Sequence, residues 1–592
     1  MALYDNILYN KPITESRKSE AGRKINMDYK PLPIGIDDFE KLITRGYYFV
    51  DKTMLIKELL DKKGLVNLFT RPRRFGKTLN MSMLQYFFED ARDDNGNKVD
   101  NGYLFDGLNI MQADDRYLAH MGQYPVINLS LQSGKQPDFE MAQDSLIDEI
   151  QQEYYRHIYI LKNDALVETQ KEKYELIMTG KAKKIEYAKS LEFLSQCLEK
   201  YYGKKAIILI DEYDVPLEHA FIKGFYDEMI GFIRSLFESA LKTNASLEFA
   251  VITGCLRISK ESIFTGMNNL EIISILSKNY DEYFGFTEKE VGKICSDYHL
   301  EIRYDTIKEW YNGYIFGSAN VYNPWSVVRY IKDLKADIDE FPSSYWANTS
   351  SNSIVRSLID MADEGTKGEI EAIIEEKTLV KPVHEDITYD EVYETMDNLW
   401  NFMFFTGYFR KVREWMDEKT KQIFVELTIP NEEVKYIFRR KVLSWFDQKV
   451  KQKDRTRLLQ AVVDGDAETV EEEIGDMLLE TISFNDAYES FYHGFLAGVL
   501  AGIKGYVVKS NREGGYGRSD LFISPVSHRK AAFVVEFKIA QSVRELETKA
   551  GEAIQQIKDR QYMRELHDNG YEVVHKYGIA FFGKDCHVVF EE

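Results

Sequence analysis

Cysteine is scarce in this chain of 592 residues. The four present, Cys197, Cys255, Cys295 and Cys586, lie far apart and form no C-x-x-C pair. They argue against a zinc–thiolate site and point to a reducing compartment. Long hydrophobic runs are missing too. No apolar stretch reaches the roughly 18 residues of a membrane span, and the N-terminus lacks a signal h-region. The chain is therefore read as cytoplasmic, with no membrane partner. Positive charge is the third shortfall: the net charge is −21. Such a surface opposes general adhesion to nucleic acid, although local basic patches stay open. What is present is the composition of a folded protein, 44% hydrophobic and 13% aromatic. Its length suits roughly three or four domains.

The chain is organised around GLVNLFTRPRRFGKTLNMSML, which begins at Gly64. Leu65, Val66, Leu68 and Phe69 predict a buried strand, and Leu79, Met81, Met83, Leu84 and Phe87 predict a helix. Between them lies a tight turn ending in Gly76-Lys77-Thr78. Strand, turn, GK[ST] and helix form the setting of a P-loop, in which backbone N–H groups and a helix N-terminus cradle phosphates. Lys77 would set a point charge against the β- and γ-phosphates, and the Thr78 hydroxyl would ligate Mg²⁺. Arg73, Arg74, Phe75 and Gly76 complete the expected nucleotide-binding loop. One position departs from GxxxxGK[ST]: the first glycine is Arg71. The competing reading is a chance GKT on a core βα unit.

Residues 1–30 form a polar tail. A short helix, a strand at 47–50 and a helix from Thr53 are expected before the loop. A second buried strand is predicted at 124–131, and amphipathic helices at 138–162 and 183–202. The apolar run Ala206-Ile207-Ile208-Leu209-Ile210 leads straight into Asp211-Glu212. A buried strand ending in two acids places both at the carboxyl edge of the sheet, beside the loop. Asp211 would hold Mg²⁺, and Glu212 would orient and deprotonate the attacking water. A further strand at 247–253 ends in Thr253-Gly254. There Thr253 would sense the γ-phosphate and Arg257 would act as an arginine finger, completing a site in a homo-oligomer. The sheet is expected to be mainly parallel, with helices on both faces.

RPRRFGKT, IDEYDVPL and TGCLRISKESIFTGMNNL resemble the AAA-ATPase-like family of bacterial proteins, which join such a module to a C-terminal PD-(D/E)XK nuclease-like domain. The resemblance covers nearly the whole chain from Pro31. It implies that Arg71 is a family trait, and that 283–291 and 311–331 form a small helical or winged lid. Trp310, Tyr314 and Trp325 read as packing residues of that lid rather than as base-stacking platforms. From 350 to about 480 the chain is acidic and mostly helical, with a hairpin expected over 408–430.

A second chemical unit follows. A helix at 487–501 contains Glu489. Asp520 opens a strand at 521–524, and the strand 531–535 ends in Glu536-Phe537-Lys538. Residues 536 and 538 alternate onto one face, and the hairpin would bring Asp520 beside them. Two carboxylates suit a hard Mg²⁺ (or Mn²⁺), and the lysine would stabilise the attacking water or the charge on the phosphate. Gln556 and Tyr562 resemble the extra Gln…Tyr motif of RecB-like members, and Glu489 would supply a helical acid. Arg512, Arg518, Lys504 and Lys509 would line a groove beside Asp520.

The expected fold is α/β multidomain. A P-loop ATPase core (31–275) is followed by a helical or winged lid (276–350), a mostly helical connector (351–480) and a restriction-endonuclease-like α/β domain (481–592). The expected activity is ATP binding and hydrolysis coupled to a Mg²⁺-dependent nuclease acting on nucleic acid, DNA first. Two alternatives stand beside it. One is a non-cleaving ATP-dependent switch that only binds nucleic acid or protein, and the other is a nuclease carrying a static nucleotide holder.

Overall fold

The computed structural model describes residues 29–592 except 257–262, 265, 347–352, 375, 384–388, 390, 441–454, 480–491, 493–494, 497–498, 501–502, 504–505, 511–520, 526–529, 560–570 and 572. The expected positions Arg257, Glu489, Arg512, Arg518, Lys504, Asp520 and Tyr562 lie outside the described residues.

Strands β1 (Val66–Thr70), β2 (Val126–Ser130), β3 (Ala206–Asp211), β4 (Leu247–Gly254) and β5 (Leu270–Ile273) build the first sheet in the order β2-β3-β4-β1-β5. Every pairing in it is parallel. Parallel sheets are covered on both faces, and the uninterrupted burial of β1 and β3 shows it. β4 lies between β1 and β3, so Thr253 sits beside Phe69 in register, one strand from the end of β3. Three strand ends therefore meet at one carboxyl edge, where ligands of such sheets bind.

Three readings change here. No strand forms at 47–50, where the extended chain hydrogen-bonds Pro31 through Tyr48 N (2.8 Å) and has no ladder partner. The Tyr48 ring instead packs on Tyr298, with centroids 5.3 Å apart. β5 goes unforeseen because its four residues are short and mostly half-buried. The expected helix at 183–202 is also split, into Lys184–Ala188 and Ser190–Tyr202.

The next unit pairs β6 (Phe286–Thr287), β7 (Tyr314–Phe316) and β8 (Ala319–Tyr322) as an antiparallel sheet in the order β6-β8-β7. Helices Glu288–Asp297, Tyr304–Tyr311 and Pro324–Ala336 close a small core around Val291, Tyr311, Tyr322 and Tyr330. The first is fixed by a Thr287/Glu290 capping box, the last by Asn323 capping Ser326 N ahead of Pro324.

The connector holds the predicted hairpin, β10 (Arg410–Met416) and β11 (Ile423–Thr428), with β9 (Leu379–Pro382) added on the far side of β11. Two helices, Thr456–Asp464 and Ala467–Leu479, end it and lie against the C-terminal sheet. There Tyr577 Oη donates to Val462 O at 3.0 Å, and Glu471 accepts from Val588 N at 2.9 Å.

That last sheet runs β12 (Tyr506–Ser510), β13 (Leu521–Pro525), β14 (Ala532–Ile539), β15 (Val574–Phe582) and β16 (Asp585–Glu591). It is mixed: β14 and β15 are parallel, the other neighbours antiparallel. β14 continues past Val535 to Ile539, so Glu536 and Lys538 sit inside the strand rather than beyond its end.

Candidate functional site

At the first site, β1 delivers the chain into the loop 71–76. Arg71, standing where a glycine is common, is completely buried. Its Nη1 donates to Thr70 O (2.9 Å) and Ile273 O (2.7 Å), and its guanidinium lies 5.2 Å from both the Phe284 and Phe316 rings. Burial pulls its pKa down to about 9. The loop needs left-handed backbone at Arg74 (φ 71°) and Gly76 (φ 81°), and Arg71 is not among such residues. A side chain is therefore tolerated there, and it ties the loop to β5 and to the chain leading into the lid.

Gly76 caps the helix Lys77–Phe88. The Lys77 ammonium is buried and donates to Arg71 O (3.0 Å) and Pro72 O (3.0 Å), with Cys255 Sγ at 3.6 Å. These are neutral acceptors, exchangeable for charged phosphate oxygens that bind an ammonium more strongly. Thr78 is exposed on the first helical turn. The Phe75 ring is buried in the lid, 5.0 Å from Tyr314 and 5.1 Å from Phe316. Arg74 is exposed and lies over Trp325 at 4.3 Å, with Arg329 over the same ring at 4.5 Å.

Asp211 ends β3, and its Oδ1 accepts from Glu212 N (3.0 Å) and from the Thr253 hydroxyl. Thr253 is thus directed at Asp211. Glu212 adopts a left-handed backbone (φ 53°), uncommon for a side chain of this kind. Burial, with Asp211 adding to it, raises the Glu212 pKa, the direction that suits a general base.

Two acids without a role in the motif reading belong here. Asp214, buried, accepts from Cys255 N (2.8 Å) and Leu256 N (3.1 Å) and so fixes the turn after β4. Its Oδ1 has no hydrogen-bond partner among the described residues, and burial raises its pKa. Glu218 forms an ion pair with Arg73. The acidic spacing in IDEYDVPLE was visible in the sequence, but nothing local says which acid faces the loop.

At the second site Glu536 is buried on β14. The helix Leu546–Asp559 crosses that face through Ala550, Ala553, Ile554 and Ile557. Gly578, paired with Glu536 across β14 and β15, lets it lie close: a Cβ there would meet Ile554 N at 3.0 Å and Ala550 O closer still. The helix thereby delivers Gln556, whose Nε2 donates to Glu536 and whose Oε1 accepts from Lys538. Glu536 and Lys538 are themselves 4.0 Å apart. Glu536, Lys538 and Gln556 are therefore brought together. No group of three or more His, Cys, Asp or Glu that could hold a metal occurs among the described residues, which include neither Asp520 nor Glu489.

Two segments of the chain match known families. Residues 33–264 match a family described as predicted AAA-ATPase, and residues 487–591 match the PD-(D/E)XK nuclease superfamily. The chain thus joins an AAA-ATPase-like segment to a nuclease-superfamily segment. A protein of Azotobacter chroococcum mcd 1, described as an uncharacterized protein in the vnfD 5' region, is 28% identical over 336 residues. The match covers 56% of this chain and 57% of that relative, so the chain spans little more than half its length. No helix among the described residues is long and apolar enough to cross a membrane.

Proposed function

We propose that this chain binds and hydrolyses Mg²⁺-ATP at the loop 71–78 and cleaves phosphodiester bonds of nucleic acid, DNA first, at its C-terminal sheet. The observation that carries the first half is the meeting of Lys77, Asp211, Glu212 and Thr253 at three adjacent strand ends. Lys77 exchanges loop carbonyls for phosphate oxygens. Glu212, its pKa raised, takes the proton of the attacking water. Asp211 and Thr78 would hold Mg²⁺, with Thr253 keeping Asp211 in place.

The second half rests on Gln556, which bridges Glu536 and Lys538. The pairing of Leu521 with Val535 supports Asp520 as partner acid to Glu536. Asp520 and Glu536, with Glu489, would hold Mg²⁺ or Mn²⁺. When bound, such an ion neutralises phosphate charge and lowers the pKa of its water. Lys538, oriented by Gln556, donates to the scissile phosphate. The ATP supply that the first site needs, and four cysteines that form no disulfide, favour the cytoplasm.

Plasmid, linear DNA and RNA incubated with Mg²⁺ or Mn²⁺, with and without ATP, provide the test. Cleavage is expected and is abolished by EDTA and by Glu536→Gln. Lys77→Ala should lose ATP binding by calorimetry, whereas Glu212→Gln should bind but hydrolyse at least a hundredfold more slowly. Cleavage that survives Glu536→Gln overturns the nuclease assignment. Equal ATP affinity in wild type and Lys77→Ala overturns the P-loop assignment.

A further inference from the structure

Four carbonyls of the phosphate loop are already held. Lys77 takes those of Arg71 and Pro72, Gly285 N takes Phe75 O (3.2 Å), and the indole Nε1 of Trp346 takes Arg73 O (3.3 Å). The carbonyl of residue 73 and the N–H of Arg74 belong to one planar trans peptide and point in opposite directions. Pinning one aims the other, so Trp346 sets the direction of a backbone donor in the loop.

Trp346 lies outside the first sheet and is held by the connector. Its own N–H donates to Glu433 at 2.8 Å, and its ring meets Tyr408 edge-on at 4.9 Å. Glu433 is fully buried and also accepts from Ser326 Oγ at 3.0 and 2.9 Å. Beside Tyr408, Gly407 (φ 95°) packs on the loop itself: a Cβ there would lie 3.0 Å from Pro72 Cβ. Asn431 Nδ2 donates to Asn312 O at 2.7 Å and seats the same connector segment on the lid. The outer side of the loop is thus walled by residues more than 270 positions away.

We propose that Trp346 and Gly407 are positioning residues for the phosphate loop, so that ATP affinity and the seating of the connector are linked. The inference rests on the nucleotide-binding reading and adds its regulation. Linkage is reciprocal: a connector that grips the loop favours nucleotide, and bound nucleotide must tighten the connector to the same degree. That gives nucleotide state a physical route out of the first domain.

The test is Mg²⁺-ATP titration by calorimetry of the full chain and four variants, each checked for native circular dichroism. Trp346→Phe keeps an aromatic ring, though a smaller one, and removes the donor to Arg73 O. Gly407→Ala drives a methyl towards Pro72. Glu433→Leu removes the acceptor that holds Trp346, and Lys77→Ala is the control. Affinity about tenfold weaker in Trp346→Phe and Glu433→Leu is expected, with Gly407→Ala weaker or unfolded. Hydrogen exchange over 404–440 should slow with ATP in wild type and not in Lys77→Ala. Wild-type affinity in Trp346→Phe and Glu433→Leu, with ATP-independent exchange and a Lys77→Ala that no longer binds, overturns the linkage alone. A wild type that binds no ATP, or a Lys77→Ala that binds equally well, overturns the nucleotide reading and the linkage with it.

Discussion

Single residues here carry loads that their types do not announce. Arg71 illustrates it. Restoring the customary glycine would remove a guanidinium that closes Thr70 O and Ile273 O, and leave those carbonyls short of a donor in a buried place. Each such loss costs about 1–3 kcal/mol. Arg71→Gly is therefore expected to lower unfolding free energy by about 2–4 kcal/mol, read from urea unfolding. Glu433 is the second case. Burial raises its pKa to about 7, against the hydrogen bonds from Trp346 N and Ser326 that lower it. Among the described residues, the titratable groups facing it are the phenols of Tyr311 and Tyr314, neutral at such pH. A raised carboxyl pKa favours the folded state while the group is protonated. That stability is complete below the ordinary glutamate range and lost as pH rises through about 7. The window holds about 3 kcal/mol. Denaturant unfolding of Glu433→Gln should show a shallower decline between pH 4.5 and 7 than wild type; equal slopes would assign the decline to other groups.

At the scale of elements, the nuclease-like site depends on one helix lying flush on one strand. Gly578 permits that contact, and the contact places Gln556 between Glu536 and Lys538. A methyl at 578 would press on the backbone of the helix at 550 and 554, where no flexible side-chain end can yield. Overpacking of this kind costs about 1–3 kcal/mol, and here it acts by lifting the helix. Gly578→Ala should slow DNA cleavage at least tenfold while leaving ATP affinity by calorimetry unchanged. Unaltered cleavage would show that Gln556 is not needed where the structure puts it. The hairpin of the connector was legible beforehand because β10 and β11 alternate around the polar turn at 417–422. The strand expected at 47–50 failed for the opposite reason: its aromatics were read, but its partner could not be.

Across the whole molecule, the last two helices of the connector pack on the C-terminal sheet. The helices Thr456–Asp464 and Ala467–Leu479 contribute Val462, Ile474 and Met477 to the core beneath β15 and β16. Gly465 stands so close to Phe590 that a Cβ would meet its ring, at 3.2 Å from Cδ1. A fragment of residues 455–592 is expected to fold cooperatively, whereas 481–592 would expose that face of the sheet. Thermal unfolding followed by circular dichroism separates the two. A sharp transition in the shorter fragment would show the helical pair to be an accessory.

The sequence by itself determined where the candidate centres lie: Gly76-Lys77-Thr78 after an apolar strand, Asp211-Glu212 after another, and Glu536-x-Lys538 on a third. Each is written in neighbouring residues, where alternation and burial decide direction. Only the tertiary structure decided who serves them. Thr253 is bound to Asp211, Arg73 to Glu218, Gln556 to Glu536 and Lys538, and Trp346 to the loop carbonyl at 73. These contacts depend on strand order and on close approach between distant segments. No local pattern encodes whether a polar group meets a partner 42 or 273 residues away.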